Sequence, residues 1–155
     1  MNRSSTRSKE PQLITNIIGR IYSDMFTEAA DWESAIEKGA SEITNSTERF
    51  NQYISLGIVD EHTCAFSSLK NFFCSAMESS EEFRITIKEH QKELIKLMYM
   101  GEYEMKEQTI TEQHKELSRR IENFLSALTK KMIEYNTIIG KTGYTALAVY
   151  YSFEF

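Results

Sequence analysis

The scarcity of glycine and proline is the feature that most constrains how this chain can fold. The 155 residues include one Pro and six Gly. Sheet-rich folds reverse the chain about every 10 residues, and their turns rely on Gly, Pro, Asn and Asp. The chain supplies too few such residues for that spacing, so we expect an all-α protein built from long helices.

Apolar residues recur every three or four positions in the first third of the chain, which is typical of an amphipathic helix. The pattern predicts a helix from Pro11, which suits a first helical position, to about Leu56. Gly57 suits the C-cap of this helix, and Asp60 suits the N-cap of the next one.

A heptad pattern of apolar residues begins near Glu61 and continues to about Tyr135, with a slip in register between Met98 and Gln108. An unbroken helix of that extent would be roughly 110 Å long at 1.5 Å per residue. We therefore predict one short first helix and one very long second helix, packed as elongated antiparallel coiled-coil helices. The residues predicted to form the seam, and with it a dimer contact, are Phe66, Leu69, Phe73, Phe83, Ile87, Leu94 and Leu97.

The two ends of the chain differ from its middle. Residues 1–10 are rich in Ser and Arg and lack an apolar period, which predicts a disordered basic arm before a helical domain over residues 11–141. Residues 142–155 are rich in aromatic and β-branched side chains, which favour a strand or an irregular hydrophobic tail over a helix.

No catalytic or metal-binding pattern emerges from residue spacing. The segment Gly140-Lys141-Thr142 resembles the end of a P-loop, but the Gly required five residues earlier is Tyr135. No His is preceded three positions earlier by Glu, and His62 with Cys64 and Cys74 lacks a fourth zinc ligand. We expect a protein with no enzymatic activity, no cofactor, no metal and no small-molecule substrate.

His90 falls at a seam position of the heptad. The simplest interpretation is a hydrogen-bonded core histidine, and a pH-sensitive contact is the alternative.

Charge is distributed unevenly along the chain. The formal net charge is −5, which argues against nucleic-acid binding, and the acidic excess lies in residues 1–83. Arg84, Lys88, Lys92 and Lys96 recur at four-residue steps and form a basic stripe. The stripe is either an ordinary solvated face, with Glu89 and Glu93 pairing to the lysines, or a set of contacts to anionic lipid headgroups. Further basic candidates for lipid contact lie near the end of the chain, at Lys130, Lys131 and Lys141.

The cellular location follows from what the sequence lacks. It has neither an apolar run of about 20 residues nor a signal-peptide pattern. Cys64 and Cys74 lie too far apart along one helix to form a disulfide with each other, so we read them as reduced. We expect a cytoplasmic protein, with peripheral membrane attachment as an open alternative.

Residues 13–135 resemble the BAR domain superfamily, both the oligophrenin/GRAF- and ACAP/ASAP-type modules and the inverse-BAR branch. The segment Ser68-Leu-Lys-Asn-Phe72, followed by an amphipathic run to Glu93-Leu-Ile-Lys-Leu-Met98, is similar to the family's second helix. The segment Ile36-Glu-Lys-Gly39 is similar to its first-helix pattern, and Trp32-Glu33 to the first helix of the inverse-BAR branch.

The resemblance implies an antiparallel homodimer that binds curved anionic membranes, with the basic stripe on the membrane-facing side and Lys130, Lys131 and Lys141 at the tip. BAR protomers have three helices, and here the third helix is predicted to be absent, which would leave the seam of the second helix half covered. The expected function is thus a dimeric scaffold that senses or supports membrane curvature. The alternative is a coiled-coil subunit that binds another helical protein and no lipid, which the acidic first half favours.

Overall fold

A computed structural model of the protein contains three helices in the residues that it describes. The described backbone covers residues 3–60, 63–100 and 103–153, and no strand occurs in these stretches. The side chains described are those of residues 17, 19–60, 63–99 and 108–140. The helices are α1 (Arg3–Ser55), α2 (Cys64–Met100) and α3 (Tyr103–Phe153). The prediction of an all-α protein is confirmed.

The predicted lengths of the helices are wrong. The first helix is the longest, at 53 residues, and the second has only 37 because it ends at Met100. The register slip that begins at Met98 marks the end of α2 rather than an irregularity inside one long helix. A third helix of 51 residues is present, so the prediction that it is absent is also wrong.

The two ends of the chain also differ from their predicted structure. Helix α1 begins at Arg3, within the predicted disordered arm, because residues 1–10 contain no Gly or Pro to stop a helix. Helix α3 continues to Phe153 through the segment predicted to be a strand or irregular tail. A strand needs a partner strand, whereas extending an existing helix adds one hydrogen bond per residue.

A glycine cap ends α1, as the sequence predicts. Gly57 adopts a φ of 71°, in the left-handed region that favours glycine. Its N–H donates to the Ile54 carbonyl at 3.0 Å, and the Ile58 N–H donates to the Tyr53 carbonyl at 3.0 Å. These two bonds form a Schellman motif.

The start of α2 corrects the predicted N-cap. The first helical hydrogen bond runs from the Ser67 N–H to the carbonyl of Thr63, at 3.0 Å. Thr63 therefore occupies the cap position that the sequence assigned to Asp60.

The three helices contribute to two compact units, each with its own contacts. The Trp32 unit comprises residues 1–34 and 83–121, and the Phe50 unit comprises residues 35–82 and 122–155.

In the Phe50 unit, aromatic side chains join the three helices. The Phe50 and Phe66 rings lie 5.2 Å apart, and the Phe73 and Tyr135 rings lie 5.5 Å apart. The Tyr135 hydroxyl donates to the Ser46 carbonyl at 3.0 Å. Gly39 lies beside Leu128 and Ser46 lies beside Tyr135, so α1 and α3 run in the same direction in this unit. The buried core consists of Ile43, Phe50, Val59, Phe66, Leu69, Phe73, Ala76, Leu128, Tyr135 and Ile139.

In the Trp32 unit, the buried side chains include an apolar cluster and two histidines. Tyr22 on α1 packs with Leu94 and Leu97 on α2 and with Ile110 on α3. Close by in sequence, two histidines are also buried, His90 on α2 and His114 on α3. Buried polar groups require hydrogen-bond partners, so this unit depends on how the two imidazoles are paired.

Candidate functional site

The basic stripe lies on the outer side of α2 in the Trp32 unit. Lys88, Lys92 and Lys96 are exposed, whereas Arg84 is half-buried. The Lys96 ammonium lies 3.4 Å from the Glu93 carboxylate, which is one of the two ion pairs predicted for a solvated face. An exposed pair of this kind contributes little energy and leaves the lysine accessible.

Three exposed apolar side chains lie between the lysines, and the sequence pattern did not single them out. Ile85 is 52% exposed, Ile95 is 40% exposed and Tyr99 is 84% exposed. Successive residues of an α-helix are rotated by about 100° about its axis. On that basis, these three side chains and the three lysines lie within one arc of about 100° around α2. We call this set, Ile85, Lys88, Lys92, Ile95, Lys96 and Tyr99, the basic-apolar face of α2.

The other basic candidates are not equivalent to the stripe. Lys130 is exposed. The Lys131 ammonium lies 3.1 Å from the Glu134 carboxylate and 5.8 Å from the centre of the Phe72 ring, so its charge already has two partners. Lys141 lies outside the residues whose side chains are described. These three residues remain predictions as lipid contacts.

All seven predicted seam residues are buried within the chain. They include Ile87 and Leu94, each 0% exposed, which lie in the Trp32 unit. The expectation of a half-covered seam is wrong because α3 is present and packs against α2. A dimer contact at these residues remains a prediction. The seven are Phe66, Leu69, Phe73, Phe83, Ile87, Leu94 and Leu97.

A hydrogen-bonded network of two buried histidines and a half-exposed carboxylate links all three helices of the Trp32 unit. His90 Nε2 lies 2.8 Å from His114 Nδ1, and His114 Nε2 lies 3.1 Å from the Glu28 carboxylate oxygen Oε2. The carboxylate can only accept, so His114 donates to it from Nε2 and, when neutral, accepts from His90 at Nδ1. The sequence predicted His90 as a core histidine, with a pH-sensitive contact as the alternative. The contact of His90 with His114 depends on the folding of α3 against α2.

The Trp32 ring packs against His114 on one side of these hydrogen bonds. Its ring centre lies 4.6 Å from that of His114, with an angle of 32° between the ring planes. Both histidines are more than nine-tenths buried. Burial and, secondarily, the neighbouring His114 lower the pKa of His90 to about 4.

A groove of about 540 Å³ lies between α2 and α3 beside His90. Its acidic lining is partly neutralised, since the Glu116 carboxylate accepts two hydrogen bonds from Arg119, at 2.6 and 3.0 Å. These bonds lower the pKa of Glu116. Among the residues with described positions, no group of three or more His, Cys, Asp or Glu side chains is arranged to hold a metal ion. The charged residues that line the groove are Glu89, Glu93, Glu112, Glu116 and Arg120.

Within the described residues, none of the helices has an apolar, nearly uncharged stretch long enough to cross a bilayer. No family model, curated protein or solved structure matches the chain.

Proposed function

We propose that this protein binds anionic membrane surfaces through the basic-apolar face of α2, as a homodimeric, BAR-like scaffold of elongated antiparallel helices that senses or supports membrane curvature. The single observation that carries the proposal is the alternation of exposed lysines with exposed apolar side chains on one side of α2. Neither type of residue alone would distinguish this face from an ordinary helix surface.

Each type of side chain has a separate role at a lipid surface. A Lys near an anionic membrane contributes about 1 kcal/mol, and that contribution falls with added salt. Ile and Tyr side chains insert into the boundary between headgroups and acyl chains, where Tyr keeps its hydroxyl hydrated. Ile95 and Tyr99 would lie at that depth when the lysines contact headgroups.

The charge of the whole chain opposes this attraction. The net charge is −5, and a uniformly acidic surface would be repelled by anionic lipid. Binding therefore depends on the local charge of α2, where Lys88 and Lys92 are exposed and have the apolar residues as neighbours.

The alternative is a protein-interaction subunit. Ile85, Ile95 and Tyr99 are spaced so that a helix of another protein with an acidic, apolar surface would fit the same face. In that case, vesicles would not bind and the same substitutions would weaken the protein complex.

Charge reversal on the stripe provides the test. We expect the Lys88→Glu, Lys92→Glu, Lys96→Glu variant to bind phosphatidylserine-containing vesicles at least tenfold more weakly, since the lost attraction of about 1 kcal/mol per Lys is replaced by repulsion. Co-sedimentation at low and high salt measures the binding, and light scattering on the unbound protein measures molar mass. We expect a dimer in both proteins.

A matched control separates the position of the charge from its amount. The triple variant of Lys38, Arg49 and Lys115 to Glu changes the net charge equally, and these three exposed residues lie on α1 and α3 rather than on α2. We expect that control to retain most of the binding. Equal losses in the two triple variants would mean that only net charge matters, and an absence of vesicle binding by the unmodified protein would refute the proposal.

A further inference from the structure

The hydrogen bonds that connect Glu28, His114 and His90 limit how many protons the two imidazoles can carry. With both imidazoles neutral, each carries its proton on Nε2, so that His90 donates to His114 and His114 donates to Glu28. Each of these contacts then joins one donor to one acceptor.

One added proton leaves these contacts intact. His114 then carries protons on both nitrogens, donates to Glu28 and to His90, and forms an ion pair with the carboxylate. His90 moves its own proton from Nε2 to Nδ1, so its Nε2 accepts instead of donating. The contact of 2.8 Å is kept, with its direction reversed.

A second proton cannot be accommodated in the same geometry. His90 and His114 would then face each other with N–H groups across 2.8 Å, and two like charges would be in contact at a buried position. The contact must break, and the charged imidazoles must reach water.

We propose that the His90–His114 pair is an acid-triggered switch, which holds α1, α2 and α3 of the Trp32 unit together when it carries one proton or none and loosens that unit when it carries two. This inference does not depend on membrane binding. The low pKa of His90, about 4, agrees with a second proton that binds only in acid.

The charges around the histidine pair influence the pH at which the second proton binds. From α1 the pair faces Glu28, and the adjacent groove adds carboxylates from α2 and α3 together with one arginine. These carboxylates favour protonation of the pair while they remain ionised, and they lose that effect in strong acid. The groove residues concerned are Glu89, Glu93, Glu112, Glu116 and Arg120.

Histidine NMR on the unmodified protein tests the proton count directly, because the chain contains only three histidines. We expect the Nε2–H tautomer for both His90 and His114 at about pH 8, and the Nδ1–H tautomer for His90 after the first proton is bound. Two independent titrations, each close to the ordinary value of about 6.5, would overturn the proposal.

Amide hydrogen exchange tests the opening. Between about pH 7 and pH 4.5, we expect protection factors in the Trp32 unit to fall by at least about tenfold, while those in the Phe50 unit change little. Loss of protection in both units together would indicate general acid unfolding and contradict the switch. Trp32, the single tryptophan, reports the first proton instead, because an imidazolium at His114 quenches the adjacent indole while the unit is still closed.

Substitution of His90 identifies the residue responsible. The Gln side chain in His90→Gln retains an N–H that can donate to His114 but does not titrate, so we expect it to remove the acid opening. His62→Gln is the control and should open like the unmodified protein. If His90→Gln opened at the same pH as the unmodified protein, the proposal would be wrong. If that variant failed to fold, the NMR titration of the unmodified protein would decide alone.

Discussion

At the scale of single residues, Tyr135 places a polar group inside the largely apolar core of the Phe50 unit. Its side chain is 1% exposed, and its hydroxyl donates to the Ser46 carbonyl. Burial raises the pKa of the Tyr135 phenol, so the group stays neutral and remains a donor. The ring and the hydroxyl therefore contribute separately to stability.

Two substitutions of Tyr135 separate these contributions. Tyr135→Phe removes one hydrogen bond and should lower the free energy of unfolding by about 0.5–1.5 kcal/mol. Tyr135→Ala also removes the ring that packs on Phe73 and should lower it by about 3–5 kcal/mol. Urea denaturation followed by circular dichroism measures both values. Equal effects would show that the ring contributes nothing beyond its hydroxyl.

His90 makes the stability of the chain depend on pH. Its pKa is lowered from 6.5 to about 4 in the folded protein, so the unfolded chain binds more protons below pH 6.5. The stability present above pH 6.5 is therefore lost as the pH falls towards 4. We expect a loss of about 2 kcal/mol between pH 7 and pH 4.5 from this residue.

Urea denaturation of the unmodified protein and of His90→Gln at the two pH values isolates the histidine from the carboxylates. The variant should lose less stability than the unmodified protein over that interval. An identical loss in both would contradict the contribution assigned to His90.

At the scale of elements, Gly39 lets α1 and α3 approach each other closely. A Cβ at this buried position would lie 2.8 Å from the Leu128 Cδ2 atom, closer than carbon atoms normally approach. Ala in a helix is favoured over Gly by about 1 kcal/mol, and this gain opposes the displacement of the leucine. Gly39 therefore has a packing role that its low helix propensity alone would not reveal.

A double-mutant cycle tests the close approach. In the unmodified background, Gly39→Ala should change the free energy of unfolding by less than about 1 kcal/mol, because the two effects offset each other. In a Leu128→Ala background, the same substitution should stabilise by about 1 kcal/mol, since the methyl group enters vacated space. Thermal or urea denaturation gives the four values, and a coupling of zero would contradict the contact.

At the scale of the whole molecule, the seam of α2 is covered by the chain's own helices. Ile87 and Leu94 are 0% exposed without any second copy. The burial of these two residues therefore contributes to the stability of a single folded chain.

Truncation of a seam residue tests this conclusion. Ile87→Ala should lower the free energy of unfolding by about 2–5 kcal/mol. Its molar mass in solution should equal that of the unmodified protein, because Ile87 is already 0% exposed within a single chain. A variant that stays folded but changes its oligomeric state would place Ile87 in a dimer interface instead.

The apolar periodicity determined much of the architecture by itself. Helical period and scarce Gly and Pro predict an all-α chain, and Gly57 predicts the end of α1 within two residues of Ser55. The heptad also selects the residues of α2 that are buried. These features are local, because they depend on side-chain spacing of three or four residues and on the φ angle of a single glycine.

Only the tertiary structure decided how many helices form and what they bring together. The register slip after Met98 is compatible with either one interrupted helix or two helices. In the structure α3 runs back along α2, and the apolar residues of both helices are buried by this packing. That return brings His90 to His114, residues 24 positions apart in the sequence, and Glu28 to His114, 86 positions apart. Ile85, Ile95 and Tyr99 stay exposed beside the lysines. The other two helices pack against one face of α2, so its opposite face remains in contact with solvent.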